Sequence, residues 1–229
     1  MQVHFHGHAC FTLSGKQGRL IIDPFLTGNP VADINAATVA VDGILVSHGH
    51  RDHLGDAVEI SRANQATIIA PFELAYYCEQ KGAPTHGMHI GGSHKFPFAD
   101  VKLTQALHGS AVTEDNRIIY TGNPCGFLIT LDGVLIYHAG DTGLFGDMEL
   151  LGDLNQIDLA LLPIGDNYVM GIQDAVIATK MLKAKSVIPM HYNTFDLIKQ
   201  DAKEFAKGVE GFCKPIILEP GNTIEIMGK

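Results

Sequence analysis

At 229 residues, with 46% of them hydrophobic, the chain can close around one sizeable core, and a single domain over 1–229 is expected. A formal charge of −9, with only 16 Lys plus Arg and no basic run, repels phosphate backbones and argues against nucleic acid as a partner. No stretch approaches the roughly 18 apolar residues of a membrane span, Met1-Gln2-Val3-His4 begins a strand rather than a leader peptide, and the four cysteines form no C-x-x-C pair. The expectation is a cytoplasmic protein with reduced thiols and no membrane partner.

Val3 to Leu13 and then Leu20-Ile21-Ile22-Asp23-Pro24 read as a hairpin turning at Ser14-Gly15-Lys16-Gln17-Gly18. His4, His6 and His8 alternate along the first arm, which puts His4 and His6 on a solvent-facing strand face. A strand at 43–47, a helix near 55–64 and the strand Ala66-Thr67-Ile68-Ile69-Ala70 make a βαβ unit. Pro71 opens a helix that ends at Gly82. The run from His86 through His89 to His94 is rich in glycine and reads as a turn, Val101 to Leu107 as a strand, and Thr113 to Asn116 as a loop. Strands follow at 126–131 and 134–137 around the Asp132-Gly133 turn, then at Leu159 to Ile164. A helix around 173–183, the strand Ser186 to Met190 and two late strands near 215–218 and 223–226 close the chain.

The densest chemistry lies at Ser47-His48-Gly49-His50-Arg51-Asp52-His53, directly after the first strand of the βαβ unit. Imidazole and carboxylate suit zinc, iron or manganese, and the two-residue period of extended chain puts His48, His50 and Asp52 on one side. His53 is out of phase and faces the same cation only if the chain turns, which the helix beginning at Leu54-Gly55 would supply. Three other strands end on or just before a ligand type: His108, Asp141 and His191. Strand ends hold reactive loops rigidly, so convergence of the four would assemble seven ligands.

The pattern His48-x-His50-x-Asp52-His53, the distant His108, Gly140-Asp141-Thr142 and the late His191 resemble the metallo-β-lactamase superfamily over nearly the whole chain. More narrowly, Gly7-His8-Ala9-Cys10, Ile21-Ile22-Asp23-Pro24, Tyr137-His138-Ala139-Gly140-Asp141-Thr142 and Pro189-Met190-His191-Tyr192 are similar to small metal-dependent hydrolases akin to the ascorbate-6-phosphate lactonases and N-acyl-phosphatidylethanolamine phospholipases D. The resemblance implies an α/β fold of the four-layer αββα sandwich type, with a two-metal cleft. It implies that His48, His50 and His108 hold one divalent ion and Asp52, His53 and His191 a second, with Asp141 bridging. Zinc is the first choice of metal, with manganese, nickel and iron as alternatives. A water between the ions loses a proton near neutral pH and attacks the substrate, and Asp52 orients it and shuttles its proton.

His8 is read as a cleft-mouth acid or a support for a ligand, Asp23 as the acceptor behind a metal-bound histidine, and His138 as a buried support. Asn167 and Tyr168, on the loop Gly165 to Gly171, are substrate contacts by the same resemblance, and relatives' symmetric assemblies imply a homo-oligomer. The expected reaction is hydrolysis of a small ester, lactone or amide, with a phosphodiester as the nearest competitor. From another class, a single-iron dioxygenase would use only His48, His50 and His108. A metal-binding protein without catalysis would close its site to water.

Overall fold

The computed structural model describes residues 1–228. The first half of the chain forms strands β1 (Gln2–Gly7), β2 (Cys10–Ser14), β3 (Arg19–Ile22) and β4 (Gly43–Leu45), helices α1 (Arg51–Leu54) and α2 (Ala57–Asn64), then β5 (Thr67–Pro71), α3 (Phe72–Gln80) and β6 (Thr85–Met88). The second half forms β7 (Ser93–Lys95), β8 (Asp100–Gln105), the hairpin β9 (Ala111–Glu114) and β10 (Arg117–Tyr120), β11 (Cys125–Leu131) and β12 (Val134–His138). It continues with α4 (Met148–Leu154), β13 (Leu159–Pro163), α5 (Ile172–Leu182), β14 (Ser186–Met190), α6 (Ala202–Val209), β15 (Lys214–Pro215) and β16 (Thr223–Glu225).

Two seven-stranded sheets result, ordered β16-β1-β2-β3-β4-β5-β6 and β15-β14-β13-β12-β11-β8-β7. Each is antiparallel where a hairpin connects neighbours and parallel where a helix crosses over, as at β4–β5 and β13–β14. Alternation along the strands sorts the apolar residues into layers. Leu20 and Ile22 of β3 face Leu103, Phe127 and Leu161 of the other sheet, whereas Ile21 between them lies under the helices with Ile44, Ile60 and Leu74. On the far side, Tyr137, Ala160 and Val187 meet Ala175, Ala178 and Phe205 of α5 and α6. The central strands, such as β4 and β13, are buried on both faces, which explains their near-continuous apolar runs, and the molecule is a four-layer αββα sandwich.

Several expectations change. The stretch Val3 to Leu13 is not one strand: it folds back at His8-Ala9, with Gly7 (φ 99°) and His8 (φ 58°) in the left-handed region, so β1 and β2 pair. Helix starts at Arg51 rather than near 55, which moves Asp52 and His53 out of the extended run and onto one helical turn. Residues 113–116 are the tip of the β9–β10 hairpin, its turn formed by Asp115 and Asn116 at positive φ. The His86 to His94 run is a turn only at its centre, because β6 and β7 occupy its ends and pair with β5 and β8. His6 does not face open solvent, and His4 stays partly exposed. Both are turned onto Asp33, and His6 is buried. The helices α4 and α6 are additional to the expected elements, although α6 has Asp201 as its N-cap and Ala202, Phe205 and Val209 at helical spacing on its buried face.

Candidate metal centre

Strand ends and tight turns bring the site together at one end of the sandwich. His48 and His50 follow β4, Asp52 and His53 sit on α1, His108 follows β8, Asp141 follows β12, and His191 follows β14. Gly140 is what lets Asp141 turn inward. It holds φ 62°, and a Cβ there would meet the Cys125 carbonyl oxygen at 2.5 Å and the Ser47 Cβ at 3.1 Å. The β9–β10 hairpin braces the histidine loop from outside, through Ser110 Oγ accepting from the Gly49 N–H at 3.0 Å.

Seven side chains converge there. His50 Nδ1 lies 2.9 Å from His48 Nε2 and 3.2 Å from His108 Nε2, and these three residues present ligand atoms to one point. Asp52, His53 and His191 form a second group together with His8. Asp141 stands between them, with Oδ2 3.0 Å from His191 Nε2 and 3.6 Å from His108 Nε2, and Oδ1 3.2 Å from His53 Nε2.

The hydrogen bonds around the cluster point its lone pairs inward. Asp23, fully buried, accepts from the Ser47 N–H (2.7 Å), the Ser47 hydroxyl (2.6 Å) and His53 Nδ1–H (2.7 Å). The same Ser47 oxygen accepts from His48 Nδ1–H at 2.9 Å. One carboxylate thereby selects the tautomer of a histidine in each group and leaves both Nε2 atoms facing the centre. His8 Nε2–H donates to Asp52 Oδ2 (3.1 Å), and its Nδ1 accepts from the Thr194 hydroxyl (2.9 Å). His138 is buried, donates to the Ala9 carbonyl (3.0 Å), accepts from the Gly140 N–H (3.1 Å) and is turned away from the cluster.

The donor set fits divalent cations. His53 Nε2, Asp141 Oδ1 and His191 Nε2 are fully buried yet lack hydrogen-bond partners, and three imidazole nitrogens within about 3 Å have no proton arrangement that satisfies them all. Burial holds His48 well below the ordinary histidine range, so it stays neutral. Burial also disfavours charge on His53, but the carboxylates of Asp141 and Asp23 on either side outweigh it and hold its proton well above that range. A cation would take the place of that proton. Burial pushes Asp52 up, yet the His8 hydrogen bond and the His53 charge hold it far below the usual carboxylate range. Burial and neighbouring His191 lower His8 to about 4, so at neutral pH it is a neutral N–H donor that positions Asp52, which favours the support over the acid of the two expected roles.

The cluster opens into a cavity of about 330 Å³ lined by His50, Asp52, His108, Asp141, His191, Tyr168 and Phe195. Tyr168 is therefore on the cleft wall, whereas Asn167 is not among the lining residues. Phe195, with its ring 5.5 Å from that of His8, was missed in the sequence, as were Ser47 and Thr194. A single Ser, Thr or Phe next to a motif residue has no spacing that marks it.

The geometry agrees with what the chain is similar to. The beta-lactamase superfamily domain matches residues 2–191. A UPF0173 metal-dependent hydrolase from Pelotomaculum thermopropionicum is 55% identical over 99% of this chain and 100% of its own length. One from Bacillus cereus is 52% identical over the same shares. Among solved structures, the metallo hydrolase Igni18 of the archaeon Ignicoccus hospitalis superposes with a TM-score of 0.90 at 38% identity, covering 100% of this chain and 99% of that one.

Proposed function

The chain belongs to the β-lactamase superfamily and is a metal-dependent hydrolase, and from that premise we propose that it works with two divalent cations on a small ester, lactone or amide. His48, His50 and His108 would hold one ion, Asp52, His53 and His191 the other, and Asp141 both. The observation that carries this reading is the pair of ligand groups joined by a single buried carboxylate. Zinc suits the nitrogen-rich donor set, with manganese, nickel or iron as substitutes. When bound, such a pair supplies water activation near neutral pH and polarisation of the scissile carbonyl oxygen.

The chain's own residues do the rest. Asp23 and Ser47 keep the ring nitrogens of His53 and His48 turned inward. Asp52 is the carboxylate open to the cleft, its side chain 31% exposed against 3% for Asp141, so it is the group in reach of a proton leaving the nucleophile. His8 holds Asp52 in place through Nε2–H. Tyr168 and Phe195 offer aromatic walls to an uncharged substituent, and the cavity volume suits a small molecule. A single-iron dioxygenase would leave Asp52, His53 and His191 without a task.

The test is a screen of carboxyl-ester, lactone, amide and phosphodiester substrates with protein reconstituted in zinc, manganese, nickel and iron, read against metal content. At least two equivalents of metal with ester, lactone or amide turnover that His108→Ala abolishes is the expected result. Turnover of phosphodiesters alone, or one equivalent of iron with oxygen consumption, overturns it.

A further inference from the structure

A second cluster of ligand types lies on the outer face of the first sheet, on β1 beside the edge strand β16. His4 and His6 are two apart on β1, so both project from the face opposite the core residues Val3 and Phe5. Asp33 reaches them from the long connection between β3 and β4. His4 Nε2 is 2.7 Å from Asp33 Oδ2, and His6 Nδ1 is 2.7 Å from Asp33 Oδ1. The rings are tilted with centroids 4.3 Å apart, and one ligand atom from each of the three residues lies within 4.8 Å of the others. We propose that His4, His6 and Asp33 form a further divalent cation site, distinct from the cleft and suited to zinc.

Two features favour a cation over a plain hydrogen-bonded clamp. A clamp needs one imidazole, whereas here two aim a ring nitrogen at the same carboxylate. The outer nitrogens are held by hydroxyls, His4 Nδ1 by Thr223 (2.6 Å) and His6 Nε2 by Thr12 (2.7 Å). A hydroxyl donates or accepts, so both rings can turn a lone pair toward an ion without losing a partner, the arrangement that orients metal-bound histidines elsewhere. His6 is buried. An ion here would pin the β3–β4 connection to β1, whose next turn carries His8.

The test compares zinc per chain in the intact protein, His4→Gln and Asp33→Asn after equilibrium dialysis against buffered zinc, with cobalt(II) absorption as a second readout. Each variant is expected to bind one equivalent less and to keep turnover within about twofold, because neither residue ligates or lines the cleft. His4, partly exposed, tolerates substitution; should Asp33→Asn fail to fold, His4→Gln alone decides. Equal zinc counts in the intact protein and His4→Gln overturn the proposal. The comparison is a difference between variants, so it stands whatever number of ions the cleft holds.

Discussion

Asp23→Asn isolates the role of one buried carboxylate. Asp23 Oδ2 accepts from both the Ser47 hydroxyl and His53 Nδ1–H, while Oδ1 accepts from the Ser47 N–H. If the amide oxygen stays toward the Ser47 N–H, the new NH2 faces His53 Nδ1. His53 must then move its proton to Nε2, the atom facing Asp141, and lose the lone pair needed for metal. If the amide flips, the NH2 meets the buried Ser47 N–H instead, and an unsatisfied donor costs about 1 to 3 kcal/mol. Loss of such a support typically lowers metal affinity roughly 10- to 100-fold, about 1.4 to 2.7 kcal/mol. Chelator competition with zinc, following the weaker of the cleft ions, measures it directly. Zinc affinity and turnover unchanged from the parent protein would refute the tautomer argument.

Asp52→Asn should cost roughly 100-fold or more in kcat while metal affinity falls far less, because proton transfer by a placed side chain contributes that much; equal losses in both would reduce Asp52 to a ligand. In metal-free protein, His8 gains its proton only near pH 4 when folded but near its ordinary value when unfolded. The unfolded chain therefore binds more protons in that interval, and the His8 contribution, fully present above it, is lost as pH falls. The fall amounts to about 2 kcal/mol between about pH 7 and 5, and urea unfolding should show the parent protein losing that much more than His8→Gln over the interval. Equal pH slopes would count against a neutral, buried His8. Phe195→Ala should raise KM for an ester with an apolar group about fivefold, from about 1 kcal/mol of lost contact, with kcat nearly unchanged, and a KM that does not move would take Phe195 off the substrate wall.

Much of this architecture was legible from residue order. Alternating and continuous apolar runs marked most strands, and His48, His50, Asp52 and His53 stood out because four ligand side chains within six residues have few other uses. His108, Asp141 and His191 were readable as strand ends, with the family resemblance to sort them into groups. Local pattern misled where backbone conformation overrode it: the turn at Gly7-His8 interrupts what reads as one strand, and helix begins at Arg51 inside what reads as extended chain. The β9–β10 hairpin lacks the glycine that usually signals such a turn, since Asp115 and Asn116 take the positive φ themselves.

Residue order by itself determined the chemistry on offer: the ligand types, their attachment to rigid strand ends and the layered core that holds them. Only the tertiary structure decided who meets whom. The pairing of Asp23 with Ser47 and His53, the handover from His8 to Asp52, the Phe195 wall and the meeting of Asp33 with His4 and His6 all join residues that no periodicity connects. The reason is physical. Periodicity reports which face of an element is buried, whereas a hydrogen bond between separate segments depends on how loops close over the sheets, and a single side chain there leaves no repeating trace.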